Sequence, residues 1–584
     1  MCVSSKVNVG NLYQKFCEKA AKDLLILPAT RLQDFVSGLH KDGQRWVPIL
    51  DPPIHIQPGY TPYDTGLAQD VFIKDITGQP YVGELWPGAV HFPDFMNPAA
   101  VSWWQSQIQG LYSQAPLDGI WLDMNEASNF CGGDVCEAAG YVPPANDYIC
   151  RLTCQWGPMT NSSMNNGGTA QVPPGIFDPP YRINNGNSQA NLSDKAIAVT
   201  AQHYDGTLEY NAHNLYGTYQ AKATAEALQA IRNKRPFVLS RSSFVGSGAY
   251  TAHWTGDSAS TWQDLRWQIN AVLQPGLVGI SFAGADICGF QNIATAELCA
   301  RWIAMAAWQP YARDHHAQSF QELYRWPKVA EVSRKVLEWR MRALPYLYTA
   351  AYDSYMRGCP IARPVWFSFP SDASTLDLKE QWIVGDALLI APIVHKGMTS
   401  KEVYFPAGVW YSLYDYSSID ATNGSRNATV RANVTDNTPV YIMGGSILPF
   451  GQGGMTTTAA EKSNLTLIVA LADAASTAAV ERCNGACPVH EGAVLSACGH
   501  MYLDQGEELG TGTGADNFVF FSALTTADTG NASSGKLLIQ VGGNSSQAVP
   551  ASSVIVNPEP SSVTIHWLNE PLICGQNITV LWSS

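Results

Sequence analysis

The sequence predicts an α/β protein: a (β/α)8 TIM-type barrel followed by two all-β sandwich domains. Three observations carry this expectation. Up to about residue 360, short apolar strands alternate with amphipathic helices, the pattern of parallel β/α units. Each predicted strand ends in a carboxylate, Arg or His, where such a barrel displays its chemistry. After Met356 the alternation gives way to short β-branched runs separated by turn residues, an all-β texture.

Taken in order, a helix through Leu32–His40 precedes a strand Trp46–Asp51, and a helix Asn97–Tyr112 precedes a strand Gly119–Asp123. The segment 130–201, rich in Gly, Asn and Pro and holding four Cys, interrupts this rhythm and reads as an insertion loop. Helix Tyr216–Asn233 then leads into strand Pro236–Arg241, helix Thr261–Leu273 into strand Leu277–Asp286, and helix Leu298–Ala307 into strand Pro310–His315. A last helix spans Val329–Met356. A doubly wound nucleotide-binding sheet is the competing architecture, but no Gly-rich phosphate loop follows any strand. Strands such as Glu402–Phe405, Val440–Met443 and Leu465–Val469 build the all-β part. The expected domains are an atypical N-terminal segment 1–27, the barrel 28–360, a proximal sandwich 361–455 and a distal sandwich 456–584.

Composition narrows the function. The 584 residues are 46% apolar, ample for large cores, and carry a net charge of −14. That balance argues against a nucleic-acid or anionic-membrane partner, either of which needs a basic surface. No membrane span is expected: the most apolar stretch, Leu467–Val480, is short and contains Asp473. Nor does the apolar run Leu24–Leu27 have the length or flanks of a signal peptide. The 18 Trp, 25 Tyr and 19 Phe suit either ring stacking on sugars or core filling, and composition alone favours core filling. Cys131, Cys136, Cys150 and Cys154 form one cluster and Cys483, Cys487 and Cys498 another, neither with the His or paired knuckle of a zinc site. Disulfides fit better, in an oxidising compartment. Glycosylation sequons at Asn161, Asn191, Asn423, Asn427, Asn433, Asn464, Asn531, Asn544 and Asn577 point the same way, and many fall on segments that read as β-turns. A secretory-route protein is therefore expected, with no signal peptide in this chain.

Four constellations carry chemistry. Asp123, in Trp121-Leu-Asp-Met-Asn-Glu126, stands where an apolar strand meets a loop. Asp257 closes the Gly-punctuated run from Arg241, beside Trp254, a setting that can hold a carboxylic acid protonated near neutral pH. Gly284-Ala-Asp286 and Arg313-Asp-His315 are the other two. Each alone could be a salt-bridged core element. Together, two carboxylates at separate strand ends beside Trp residues are the equipment of glycoside hydrolysis: one ionised to attack, one protonated to release the leaving group.

These segments resemble glycoside hydrolase family 31, nearest its plant-type and lysosomal α-glucosidases. The resemblance runs from about residue 28 to 510 through GIWLDMNEASNF at 119–130, DPPYRINN at 178–185, HNLYGTYQA at 213–221, RPFVLSRSSFVGSGAYTAHWTGD at 235–257, AGADICGF at 283–290, YARDHHA at 311–317, IARPVWFSFP at 361–370 and YFPAGVWY at 404–411. It implies a retaining α-glucosidase acting on maltose and malto-oligosaccharides, needing no metal and no organic cofactor. Asp123 matches the nucleophile, Glu126 the assisting carboxylate and Asp257 the acid/base. Trp86, Trp121, Met124, Arg241, Trp254, Asp286, Phe290 and His315 match positions that hold the sugar; His316 is peripheral. Cys288 and Cys299 match a disulfide pair, and a second is implied within the loop holding Cys131, Cys136, Cys150 and Cys154.

Two departures stand out. Ala127 replaces a common Pro after Glu126. The family also places an N-terminal sandwich and two barrel strands ahead of the segment matching residues 28–51, one of them supplying a further substrate-contacting Asp; the 27 preceding residues do not resemble those strands. The chain is thus expected to be N-terminally truncated, with open sheet edges. An α-xylosidase, or an inactive carbohydrate- or partner-binding fragment, remains an alternative at this point.

Overall fold

The structure, a computed structural model, describes residues 29–130, 176, 192–193, 195–317, 320–463, 465–473, 482, 493–504, 506–509, 518–526, 536–541, 547–548, 554–556, 562–565 and 578–583. Segment 1–27, the four-cysteine cluster at 131–154, the motif at 178–185, Cys483 and Cys487 lie outside the described residues. Backbone contacts divide the chain into residues 1–253 and 254–584.

The first unit is built on a parallel ladder. Helix α1 (Ala29–Lys41) precedes strand β1 (Ile49–Leu50), shorter than the predicted Trp46–Asp51 because Pro48 cannot donate to a ladder. Strands β2 (Ile54–His55), β3 (Gly83–Leu85) and β4 (Gly88–His91) form a small antiparallel sheet. Helix α2 (Pro98–Gln114) starts where Asn97 accepts the Ala99 N–H and Pro98 supplies a pre-set φ. It leads into β5 (Ile120–Leu122), and helix α3 (Tyr216–Arg232) leads into β6 (Val238–Ser240). Asn233, in the left-handed region at φ 52°, ends α3. Strands β1, β5 and β6 run parallel and in order, with β7 (Ala252–Trp254) beginning beside β6. Their register pairs Leu50 with Leu122 and Leu122 with Ser240. The next residues, Asp51, Asp123 and Arg241, therefore stand in one row at the C-terminal strand ends. Trp103, Trp104, Phe92 and Phe95 fill the core beneath. Gly217 on α3 has no room for a side chain: a Cβ would come within 2.8 Å of the Asn125 carbonyl oxygen.

In the second unit, Thr261 caps helix α4 (Trp262–Leu277) by accepting the Asp264 N–H. The helix runs through Leu277, so the predicted strand from Leu277 is confined to β8 (Ala283–Gly284) and β9 (Asp286–Ile287). Helix α5 (Ala296–Ala306), capped by Thr295, precedes β10 (Arg313–Asp314), which pairs parallel with β9. The predicted helix Val329–Met356 is two: α6 (Pro327–Arg342) and α7 (Leu344–Arg357). Pro345 explains the break, since it fits a helix's first turn but cannot continue one.

The all-β part is mostly antiparallel. One sheet takes β11 (Ala362–Pro364), β12 (Trp382–Val384), β13 (Leu388–Ile390), β18 (Val440–Met443), β15 (Gly408–Ser412) and β16 (Ser418–Ala421) in that spatial order. Strands β14 (Ser400–Phe405) and β17 (Arg426–Arg431) form a ribbon. A larger sheet includes β19 (Ser446–Gly451) and β20 (Leu465–Ala470), and its further strands lie within 472–583. Among the described sequons, Asn423, Asn427 and Asn433 are exposed, Asn427 on β17 rather than in a turn. Many of the large rings serve the cores: Trp103, Trp254, Trp302, Trp308, Trp382 and Trp410 are fully buried. Among the described residues, no helix is long and apolar enough to cross a membrane.

One buried polar cluster fastens the first unit. His203 Nδ1 lies 2.7 Å from Asp94 Oδ1 and its Nε2 lies 2.9 Å from Glu209 Oε2, joining the segment after β4 to the segment before α3. Burial opposes a charge on His203, but the hydrogen bonds and charges of Asp94 and Glu209 outweigh it and push its pKa up to about 9. The raised value means the stabilisation is complete below the ordinary value of 6.5 and is lost as pH climbs through about 9. Its size is on the order of 3 kcal/mol. Melting temperature measured between these two limits is expected to fall with rising pH, and His203→Gln is expected to lower it on the acidic side and flatten that slope.

Candidate active site

In the first unit the site grows from the row at the strand ends. Arg241, the residue after β6, is the hub. Its Nη1 lies 3.0 Å from Asp123 Oδ1, its Nε donates to Glu126 Oε1 at 2.9 Å and its Nη2 to Glu126 Oε2 at 3.0 Å. The same Nη2 lies 3.0 Å from the sulfur of Met124. Ser128 adds a hydrogen bond to Glu126 Oε2 at 2.6 Å. Burial works against a charge on Glu126, but the Arg241 contacts and the Ser128 hydroxyl more than offset it and hold its carboxyl below the usual range.

The loop carrying these groups is pinned from below. Asp123 Oδ1 accepts the Met124 N–H at 2.8 Å, and Met124 sits at φ 55°, a left-handed conformation unusual for a side chain of its size. Buried Asn125 donates to Ser240 Oγ at 2.8 Å and accepts the Ser242 N–H at 3.0 Å, tying the loop after β5 to the end of β6. Asn129 Oδ1 accepts the Glu84 N–H at 2.9 Å, which ties the same loop to β3. Trp86 follows β3, is 61% exposed, and meets the Phe130 ring edge-on with centroids 4.8 Å apart. Trp121, in β5, is half-buried.

In the second unit, Asp286 is fully buried and its Oδ1 accepts from Arg313 Nε at 2.8 Å and Nη2 at 2.6 Å. The Arg313 guanidinium lies 4.9 Å from the centre of the buried Trp254 ring. Asp257 itself is exposed, so the expected enclosure by Trp254 is not met: that indole packs on Arg313 instead. Its neighbour Ser258 is fixed, the Ser258 carbonyl accepting from Phe290 N at 2.7 Å and Gln291 N at 2.9 Å. Phe290 stacks on His315, centroids 5.1 Å apart. Burial, with the charges of Arg313 and His316, lowers the His315 pKa to about 3, so the ring is a neutral donor and acceptor. The loop after β9 holds the disulfide Cys288–Cys299, and Cys359 and Cys498 are also disulfide-bonded. Among the described residues, no three His, Cys, Asp or Glu side chains are grouped as metal ligands.

Residues 28–350 match the model of the glycosyl hydrolases family 31 TIM-barrel domain, and residues 358–448 that of the glycosyl hydrolase family 31 C-terminal domain. The chain belongs to glycosyl hydrolase family 31. Among curated relatives, it is 43% identical over 453 residues to a probable alpha-glucosidase of Oryza sativa subsp. japonica, covering 77% of this chain and 47% of that protein. It is 38% identical over 503 residues to alpha-xylosidase 1 of Arabidopsis thaliana, covering 85% of this chain and 51% of that protein. The chain thus spans about half the length of the curated relatives it matches. A crystal structure of a glucosidase II alpha subunit superposes with a TM-score of 0.68 at 24% identity, over 87% of this chain and 47% of the other, a likeness of fold.

One residue of this family 31 chain, Asp51, joins the site without having been singled out by sequence, while Arg313 belongs to a constellation the sequence had marked. Asp51 follows β1 in the same row as Asp123 and Arg241, and Arg313 bonds Asp286 in register. The available signal for Asp51 was its position as an acid following a short apolar strand. A third constraint is steric: a Cβ on Gly284 would stand 1.9 Å from the Tyr311 carbonyl oxygen. Gly284→Ala must therefore push apart the segments carrying Asp286 and Arg313, and is expected to cost on the order of 3 kcal/mol in a chemical-denaturation measurement.

Proposed function

We propose that this protein is a retaining α-glucosidase, removing terminal non-reducing α-linked glucose from maltose and malto-oligosaccharides. The observation that carries the reading is the ion pair between Arg241 and Asp123 at a parallel strand end. A nucleophile must be ionised to attack, and a guanidinium 3.0 Å away favours the charged form. The family and the relatives named as glucosidases supply the substrate class.

In this reading, Asp123 attacks the anomeric carbon while Asp257 protonates the departing glycosidic oxygen. A bond forms between carbon and carboxylate oxygen as the carbon–oxygen bond to the leaving group breaks. Asp257 then takes a proton from water, which displaces Asp123 and returns the sugar with its original configuration. Glu126, fixed by Arg241 and Ser128, holds the guanidinium in place. The buried Asp286–Arg313 pair, braced by the Trp254 ring, together with neutral His315 and the aromatic faces of Trp86, Trp121 and Phe290, binds and orients the sugar ring. Met124 packs beside the nucleophile. The barrel 28–360 would carry this chemistry on its own strand ends, with the sandwiches 361–455 and 456–584 as supporting domains. The disulfides and exposed sequons suit an extracellular, vacuolar or lysosome-like site of action.

Likeness to an alpha-xylosidase over 85% of the chain favours a second reading, the same chemistry on α-xylosides. The ratio of kcat/KM on p-nitrophenyl α-glucoside to that on the α-xyloside distinguishes them: a value above one supports the glucosidase. For the mechanism itself, Asp123→Ala is expected to lower maltose turnover by a factor of roughly 10⁴. Incubation with 5-fluoro-α-glucosyl fluoride is expected to leave a glycosyl ester on the peptide containing Asp123. Substantial activity in the variant, or a label elsewhere, would overturn the assignment.

A further inference from the structure

Three carboxyl groups share the electrostatic surroundings of one cation at the strand ends of the first unit: Asp51 after β1, and Asp123 and Glu126 after β5, around Arg241 after β6. The parallel register sets Asp51 beside Asp123 and Asp123 beside Arg241, about 4.8 Å from strand to strand. Arg241 spends its fork on the other two carboxylates, bonding Asp123 once and Glu126 twice. Asp51 has no cation within salt-bridge range among the described residues, and its buried Oδ1 has no hydrogen-bond partner.

Resting on the reading of Asp123 as nucleophile, we propose that Asp51 is a positioning residue for the reaction, the proton-holding member of this cluster. While neutral, it leaves Arg241 to Asp123 and Glu126. Once ionised, it competes for the guanidinium and draws it away from the nucleophile. Loss of the Asp51 proton, and not only loss of the Asp257 proton, then sets the alkaline fall of activity.

The charge count requires one of the three acids to yield. A single guanidinium cannot compensate three partly buried carboxylates standing together, and the acid with a buried oxygen left unpartnered and no ion pair takes up a proton most readily. Consistently, burial first, then the charges of Asp123 and Glu126, push the Asp51 pKa up to about 7, against opposing contributions from Arg241 and the Trp86 side chain. Those are the charged groups facing it from β5 and β6. The sign is that of a raised acid: protonated and silent below about 7, charged and disruptive above it.

The test is the pH profile of kcat/KM for Asp51→Asn, which keeps the shape but cannot ionise. Its alkaline limb is expected to move up by about one pH unit while the acid limb stays. An unmoved alkaline limb overturns the proposal. Asp51→Glu, which can ionise, is expected to keep an alkaline limb near the parent's. Should neither variant fold, the parent chain and Asp123→Asn can be compared by infrared spectroscopy during a pH titration. A protonated-carboxyl band titrating at lower pH in Asp123→Asn supports the coupling, and one at the same pH in both overturns it. Labelling of the parent by 5-fluoro-α-glucosyl fluoride separates the two levels. A label absent from Asp123 defeats the nucleophile assignment, whereas a label present with an unmoved limb defeats only the role of Asp51.

Discussion

The ion pairs that Arg241 makes with Asp123 and Glu126 are the constraint from which the first unit's site follows. Arg is suited to this because its planar fork can bond two acids at once and stays charged at any working pH. Lys, a single point charge on a flexible stem, could not hold both carboxylates in fixed relative positions. Because the hub sits at the end of one strand and its partners after the neighbouring strand, the geometry depends on sheet register. A one-residue slip of β5 against β6 would move Asp123 to the opposite face and leave the guanidinium half-buried without its partners. The network and the ladder therefore support each other.

The second unit repeats the device with one acid. Asp286 and Arg313 are opposite each other in the β9–β10 ladder, and the acid accepts two bonds from the guanidinium. Here both partners are deeply buried, so neither could be removed without leaving an uncompensated charge behind. Trp254 completes the arrangement by presenting its ring to Arg313, an attraction that grows as water is excluded. That indole is thus committed to holding a cation. Asp257 remains exposed, a setting suited to exchanging protons with water.

Much of this was legible in the sequence, and the failures have physical causes. Strand-end acids betray themselves because an apolar run followed by Asp has few other uses in a β/α repeat, and Asp123 and Asp286 were found that way. Asp51 had the same signature, but nothing local distinguishes an acid that will be paired from one that will be left beside two others; that depends on neighbours about seventy and a hundred and ninety residues away. Helix ends were misplaced where one residue outweighed periodicity, as when Pro345 split a continuous apolar pattern into α6 and α7. The abundance of aromatic rings could not be divided between core and ligand by composition, because a Trp buried in a core and one such as Trp86 look alike until packing is known.

What local sequence cannot hold, side-chain networks do. Met124, directly after Asp123, and Cys288, two residues after Asp286, both sit in the left-handed region, at φ 55° and 72°. Each conformation costs on the order of 1 kcal/mol or more for a residue with a β-carbon, so neither loop would keep its shape by backbone preference. Around Met124 the compensation comes from Asn125 on Ser240 and Ser242, Asn129 on Glu84, and the Arg241 fork. Around Cys288 it comes from the disulfide to Cys299 and from buried Gln321, which donates to the carbonyls of Ile287 and Gly289. The strain lies directly after Asp123 and two residues after Asp286, so the bracing fixes the backbone beside each acid. The uncommon backbone and the dense polar bracing are two sides of one requirement: carboxylates held in place beside backbone that would not keep its shape unaided.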